Sequence, residues 1–222
     1  MQLLAVVLAR VTALTLIHEW DPRSKLFVTD FIKALVERYG FLVFPKTLED
    51  YRSPNGAVFT AGKMGDIVIE NVTLYAQGVV VDTRSSTTDS DLVLTDIANW
   101  VETLSGVQHA DDRISRRFYL SQLSFRSESN LDCLNPKLNK LASWLTEIVS
   151  KHAKQRLEFE TTAISFQFDQ QKHKSLSLPM RIERLESAIF EENKYFSSAP
   201  LPTDEHIAFL NEFEAALIDW NG

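Results

Sequence analysis

The chain has 222 residues, of which 45% are hydrophobic and 24% charged, and its formal net charge at pH 7 is -7. A chain of this length and composition buries enough apolar surface to fold without disulfides or structural metals. Its net negative charge repels phosphate backbones and acidic membrane surfaces, so nucleic-acid binding would need a local basic patch. The single cysteine, Cys133, excludes an intramolecular disulfide and a four-thiolate zinc site, and it favours a reducing compartment.

The first twenty residues, MQLLAVVLARVTALTLIHEW, are the one segment that could be mistaken for a signal or membrane helix. Arg10 interrupts them, their apolar runs are shorter than the roughly 20 residues that a span needs, and no charged region precedes them. Their Val, Leu, Ile and Thr content is typical of a strand buried on both faces. We therefore expect a soluble, cytoplasmic protein that does not contact the membrane.

The next elements alternate between helix and short strands. Apolar residues at three- and four-residue steps predict a helix within 21–40, which Gly40 ends. Short strands are predicted at 41–45 and 57–61, with a tight turn at 62–66. From residue 67 to 82 the apolar alternation continues but changes phase near Glu70 and Asn71, which predicts a β-bulge.

Two helices share a pattern in the middle of the chain. IANWVETL, Ile97–Leu104, and LASWLTEI, Leu141–Ile148, both read apolar, Ala, polar, Trp, apolar. We expect each to be an amphipathic helix that places its tryptophan, Trp100 or Trp144, at the edge of a core, and a duplication stays an alternative. Strand-like segments flank both helices, so this order predicts helices packed on a sheet. These segments are 74–82, 116–125 and 157–168.

The last quarter of the chain predicts an edge strand at 178–186, an extended segment at 195–206 and a helix over Glu205–Ile218, with Thr203 or Asp204 as its cap. The expected fold is a single α+β domain over 1–222 with a mixed, partly antiparallel sheet and helices packed on it. The sheet and three helices occupy 1–190, and the extended segment and C-terminal helix occupy 191–222.

No complete catalytic constellation emerges. AVFTAGKM, Ala57–Met64, lacks the first glycine and the hydroxyl of a phosphate-binding loop, and a strand follows it, so a hairpin with an exposed lysine is expected. VVVDTR, Val79–Arg84, resembles the strand of an aspartate-nucleophile phosphotransferase, but Arg84 stands where the second acid belongs. We therefore interpret 79–91 as a strand end, a polar loop and an aspartate-capped helix start.

The remaining reactive side chains follow no pattern of a known site. The five histidines have no metal-ligand spacing, and Cys133 is expected to be buried and inert. We accordingly predict no catalytic residues, no metal and no cofactor, and we lean against an enzyme.

One recurrence could form a binding site. Arginine followed by serine occurs four times, and three of these pairs lie in loops that leave a strand and enter a helix. If parallel strands gather those loops at one sheet edge, the arginines, hydroxyls and helix N-termini would form an anion site. Helix capping by solvated loops is the alternative. The three pairs are Arg23 and Ser24, Arg84 and Ser85, and Arg126 and Ser127; the fourth is Arg52 and Ser53.

Three function hypotheses result. The first is a non-enzymatic binding or assembly subunit that acts through a protein partner or self-association. The second is an enzyme or sensor that binds a small anionic ligand, a phosphorylated and nucleotide-like molecule, at the Arg and Ser loops. The third is nucleic-acid contact through Arg113, Arg116 and Arg117, which the net charge of -7 disfavours.

Overall fold

The computed structural model describes residues 1–16, 20, 28–51, 53–106, 109–169, 171–172 and 178–219. Over these residues it contains eight strands and five α-helices, which confirms the predicted α+β class and the C-terminal helix. No helix in the described ranges has the length and apolar character needed to cross a bilayer. The strands are β1 (Gln2–Leu14), β2 (Ala57–Met64), β3 (Ile67–Tyr75), β4 (Gly78–Thr83), β5 (Arg116–Arg126), β6 (Ala163–Phe166), β7 (Met180–Arg184) and β8 (Lys194–Ala199). The helices are α1 (Val28–Tyr39), α2 (Leu48–Tyr51), α3 (Thr87–Ser105), α4 (Pro136–Ala153) and α5 (Thr203–Asp219).

The strands hydrogen-bond in the order β2-β3-β4-β1-β5-β8-β7-β6. Chain contacts divide the molecule into two compact units. The α3 unit consists of Val6–Ser121 and Pro200–Thr203, and the α4 unit consists of Met1–Ala5, Gln122–Ala199 and Asp204–Gly222. The single domain over 1–222 expected from the sequence, with its division at residue 190, stays a prediction.

In the α3 unit, β2, β3, β4 and β1 pair antiparallel. The predicted hairpin forms at Gly65, whose positive φ of 57° suits a residue without Cβ, and Lys63 is exposed. The predicted bulge is confirmed by a register shift between Ile69 and Asn71. The strand predicted at 41–45 is wrong, because only one bridge forms there, between Val43 and Thr60.

The core of the α3 unit lies between its strands and helices α1 and α3. Alternate residues of β1 and β4 are fully buried there, together with one face of α3. Aromatic rings extend the core: Phe31 stacks on Trp100 and Phe41 contacts Phe59. Trp100 is half-buried against this core, as predicted for a tryptophan at a core edge.

Helix α3 begins after β4, as the sequence indicated, but serine rather than aspartate caps it. Ser86 has an extended backbone, and its hydroxyl accepts a hydrogen bond of 3.0 Å from the Asp89 amide. The short serine side chain reaches this amide from the cap position, whereas Asp89 already lies in the first helical turn. There its carboxylate complements the helix dipole.

In the α4 unit, β6, β7 and β8 pair antiparallel. The prediction that 178–186 forms an edge strand is wrong, since β7 lies between β8 and β6. Part of the segment predicted to be extended is the paired strand β8, and only the short β6 forms within 157–168. Buried side chains of this unit include Leu123, Phe125, Leu131, Ile182 and Tyr195.

Candidate interaction surface

Helix α4 exposes its apolar face. Asn135 caps its N-terminus by accepting a hydrogen bond from the Lys137 amide, and Pro136 occupies the first turn. No residue of this helix is buried, although its apolar residues recur at helical spacing. The α4 stripe is the set of apolar side chains between 40% and 62% exposed on this helix: Leu138, Leu141, Trp144, Leu145 and Ile148.

Polar contacts hold α4 in this orientation. The Thr146 hydroxyl accepts a hydrogen bond of 2.9 Å from the Phe159 amide, and the Ser150 hydroxyl accepts one of 2.9 Å from the Leu157 amide. On the same side of the helix, the Asn139 side-chain amide donates to the Asp132 carbonyl at 3.0 Å. Turning the stripe toward the protein would break these bonds, so the exposure of the stripe is specified by the sequence.

The two helices with a shared pattern differ in burial. In α3, Ile97 and Val101 are 0% and 2% exposed, whereas Leu141 and Leu145, at the equivalent positions of α4, are 56% and 44% exposed. The expectation that Trp144 lies at a core edge is wrong, because 62% of it is exposed. The α4 stripe therefore has the pattern of a core-facing helix on a solvent-facing surface.

Positive charge borders the α4 stripe. The helix carries three lysines and a single glutamate, Glu147, in a chain whose net charge is -7. Lys137, Lys140 and Lys151 are exposed, and none forms an ion pair with a residue that the structure describes. The stripe and the lysines beside it thus form a local apolar and basic surface on an acidic protein.

The structure describes only some of the residues predicted for the anion site. Arg23, Ser24 and Arg52 are outside the described residues, whereas the Ser53 hydroxyl accepts a hydrogen bond of 3.2 Å from the Asn55 amide. Arg84 belongs to the α3 unit, where its Nε lies 3.4 Å from Oε1 of Glu70 and 68% of its side chain is exposed; Ser85 is exposed. Arg126 and Ser127 belong to the α4 unit. A common site for these pairs stays a prediction.

Arg126 and Ser127 line a cleft of about 510 Å³. Ser127 is buried, and its hydroxyl accepts a hydrogen bond of 3.2 Å from the Ser129 amide. Three glutamates line the same cleft, and their carboxylates would repel a phosphate bound to Arg126. They are Glu128, Glu191 and Glu192.

The arginines predicted to contact nucleic acid lie around the start of β5. Arg117 forms ion pairs with Asp91 and Asp111, so aspartates already neutralise its guanidinium. The Arg116 guanidinium lies 5.6 Å from the centroid of the Phe118 ring, and Arg113 is exposed at the end of a short 3-10 turn. Of the three, Arg113 and Arg116 could reach a phosphate, which is a weak basic patch.

Asp82 is a buried structural carboxylate. Its two oxygens accept hydrogen bonds of 2.7 and 2.8 Å from the guanidinium of Arg10, which lies directly opposite it on β1. Such bidentate pairing holds both partners in one geometry. The sequence pattern around Asp82 gave no sign of Arg10 as its partner, because the two residues meet only through the pairing of β4 with β1.

A serine and a histidine meet inside the α4 unit. The Ser197 hydroxyl lies 2.8 Å from Nε2 of His206 and 2.9 Å from the Arg181 carbonyl, and both side chains are fully buried. Burial lowers the pKa of His206 to about 4. A hydroxyl without exposed surface is closed to substrate, so the pair serves packing rather than nucleophilic catalysis.

The potential metal ligands and the single cysteine are the remaining reactive groups. Among the described residues, no group of three or more His, Cys, Asp and Glu side chains could hold a metal ion. Cys133 is half-buried rather than buried as expected.

Comparison with protein-family models finds no match for this chain, and comparison with curated proteins finds none either.

The sequence contained a signal for the α4 stripe that the motif search missed. Leu138, Leu141, Leu145 and Ile148 alternate steps of three and four residues, as in the seam of two packed helices, and lysines flank them. The pattern alone does not reveal which side of the helix faces the protein. That orientation depends on the contacts of α4 with the segment 157–161.

Proposed function

We propose that this chain is a non-enzymatic binding or assembly subunit that contacts another protein through the α4 stripe. The observation that carries the proposal is the contrast in burial between α3 and α4, whose shared pattern is buried in one helix and exposed in the other. Exposed apolar patches of this kind mark protein contacts, and a central aromatic residue such as Trp144 is a frequent energetic anchor. The single cysteine supports a cytoplasmic, reducing setting for this assembly.

The alternative functions have weaker support. Binding of a phosphorylated small molecule through Arg23, Arg84 and Arg126 would have to overcome the pairing of Arg84 with Glu70 and the glutamates around Arg126. A nucleotide or phosphate that raises the melting temperature of the wild type, but not of Arg84→Ala or Arg126→Ala, would favour this alternative over assembly.

The first test asks whether the stripe serves the fold. The double variant Leu141→Gln, Leu145→Gln removes two exposed apolar side chains while keeping a similar helix propensity, so its unfolding free energy should stay within about 0.5 kcal/mol of the wild type. The control, Leu131→Gln, places a polar group at a position 1% exposed and should cost about 3 kcal/mol or more. Urea unfolding of all three proteins measures both values. A double variant as unstable as the control would contradict the proposal.

The second test asks whether a protein covers the stripe. A photo-reactive amino acid replaces Trp144 in the full chain, with the same group at Ser143, an exposed residue of the same helix on the side away from the stripe, as the control. The proposal expects one protein to be cross-linked preferentially from position 144 in extracts of the source cells. That protein, once purified, should bind the wild type and lose at least about tenfold in affinity for Leu141→Gln, Leu145→Gln. Equal affinity for the two forms would count against the α4 stripe.

A further inference from the structure

The spacing of the α4 stripe indicates the kind of segment that covers it. Leu138 and Leu145 occupy a positions of a heptad, and Leu141 and Ile148 occupy d positions, which gives the narrow apolar seam of two packed helices. Trp144 borders this seam at a g position. On the basis of the proposed function, we propose that the partner covers the stripe with an amphipathic helix whose apolar seam is flanked by acidic side chains.

The charges beside the seam determine the acidic character of the partner. With this heptad assignment, Lys137 and Lys151 lie at g positions, where side chains face those of a packed helix. Both are exposed, without an ion-pair partner among the described residues, and Glu147 lies away from the seam at a c position. Glutamates on the partner would pair with these lysines and set its orientation.

A second copy of this chain fits the surface poorly. In an antiparallel pair of α4 helices, Lys137 of one copy would face Lys151 of the other, which places like charges together. In a parallel pair, Lys137 would face Ala142, which offers no charge. Neither arrangement satisfies the lysines, whereas an acidic partner does.

A membrane surface is also less favourable than an acidic helix. Helices that lie in a membrane interface bury a broad apolar face, whereas the inner side of α4 holds Asn139, Thr146 and Ser150 in hydrogen bonds to the protein.

The test uses the full chain and two synthetic helical peptides with the same Leu and Ile seam. One peptide carries glutamate at its e and g positions and the other carries lysine there. We expect the glutamate peptide to bind at least about tenfold more tightly than the lysine peptide, with a difference that shrinks as salt screens the charges. In the variant Lys137→Glu, Lys151→Glu, in which both substitutions are at exposed positions, this preference should reverse. Fluorescence anisotropy of labelled peptides measures each affinity.

Several outcomes would overturn the proposal. Equal binding of the two peptides, or a preference that does not reverse in the charge variant, would contradict an acidic partner. The α4 stripe would still be a contact surface. If the chain bound vesicles of phosphatidylcholine and phosphatidylserine but neither peptide, the occupant of the stripe would be a membrane surface rather than a helix. If the chain formed a dimer that Leu141→Gln, Leu145→Gln abolished, the occupant of the stripe would be a second copy of the chain. Failure of the assembly function itself is recognised separately, by a loss of folding stability in that double variant.

Discussion

Asp82 stands at the end of a buried strand, the position that makes a carboxylate a candidate catalyst. Its side chain is 4% exposed, and Arg10 binds both of its oxygens from the neighbouring strand. Replacing it with alanine would leave the guanidinium of Arg10 without its anion in a half-buried place. We expect Asp82→Ala to lower the free energy of unfolding by about 2 kcal/mol, measured by urea denaturation.

The control for Asp82 is an exposed ion pair in the same unit. Arg84→Ala removes the contact with Glu70, in which the arginine side chain is 68% exposed, and should change the unfolding free energy by less than about 0.5 kcal/mol. Similar losses in Asp82→Ala and Arg84→Ala would mean that the Arg10 pair adds no more stability than a surface pair.

His206 makes the stability of the fold depend on pH. Burial lowers its pKa to about 4 in the folded chain, below the value of about 6.5 expected when the chain is unfolded. Between these values the unfolded state binds more protons, so stability must fall as the pH falls from about 6.5 to 4. This group alone should remove on the order of 3 kcal/mol over that range.

The contribution of His206 can be isolated by subtraction. Unfolding free energies of the wild type and of His206→Gln, measured from pH 7 to pH 4, contain the same contributions from all other groups. The difference between the two curves should therefore shrink as the pH falls, because only the wild type loses the stability of a neutral buried imidazole. Parallel curves would show that His206 titrates normally in the folded chain.

Elements with a strong local signal could be predicted from the sequence. The hairpin at Gly65 and the bulge near Asn71 depend on turn chemistry and apolar phase, both of which are local. The predicted C-terminal helix forms over Thr203–Asp219, although both residues expected as its cap lie inside it. Elements that depend on their neighbours could not be predicted. Residues 41–45 look like a strand but pair only at Val43, and β7 lies inside the sheet because β6 pairs with its outer side.

The α4 stripe, too, could be predicted from the sequence only in part. Its heptad spacing and flanking lysines are visible in the sequence, and so is its likeness to α3. The orientation of α4 is set by hydrogen bonds that the amides of Phe159 and Leu157 donate to the hydroxyls of Thr146 and Ser150, and these amides lie outside the apolar pattern itself. Sequence periodicity gives a helix its faces, and tertiary hydrogen bonds decide which face is exposed.

An ion pair between the buried Arg184 and the partly exposed Glu160 helps to hold the segment that orients α4. Glu160 accepts hydrogen bonds of 2.6 Å from Arg184 and 3.2 Å from Asn130, and the Arg184 side chain is 5% exposed. Glu160→Ala should release this segment and lower the unfolding free energy by about 2–3 kcal/mol. Amide exchange at Leu157 and Phe159 should accelerate, as measured by hydrogen–deuterium exchange.

An exposed pair next to this segment is the control. Glu158 pairs with Arg156 at 2.6 Å, but both side chains are more than half exposed. Glu158→Ala should leave both stability and amide exchange near the wild-type values. If Glu160→Ala also left exchange at 157–161 unchanged, the hydrogen bonds to α4 would hold the segment without the ion pair.

At the scale of the whole molecule, charge and apolar exposure oppose each other. A net charge of -7 keeps copies of the chain apart at neutral pH, and the lysines of α4 add repulsion at the stripe itself. The repulsion is electrostatic and weakens with ionic strength, whereas the apolar attraction between stripes does not. The free chain should therefore be monomeric in dilute buffer even though it exposes a surface suited to association.

Raising the concentration of ammonium sulfate should reverse this balance. At an ionic strength of about 1 M the Debye length falls to about 3 Å, and sulfate also strengthens the burial of apolar surface. Light scattering should show the wild type rising above its monomer mass of 25.3 kDa. Leu141→Gln, Leu145→Gln should stay near that mass under the same conditions, because it keeps the charges but lacks two side chains of the stripe. Equal association of both proteins would mean that copies associate through another apolar surface, for instance the exposed Leu42 and Val43 of the α3 unit.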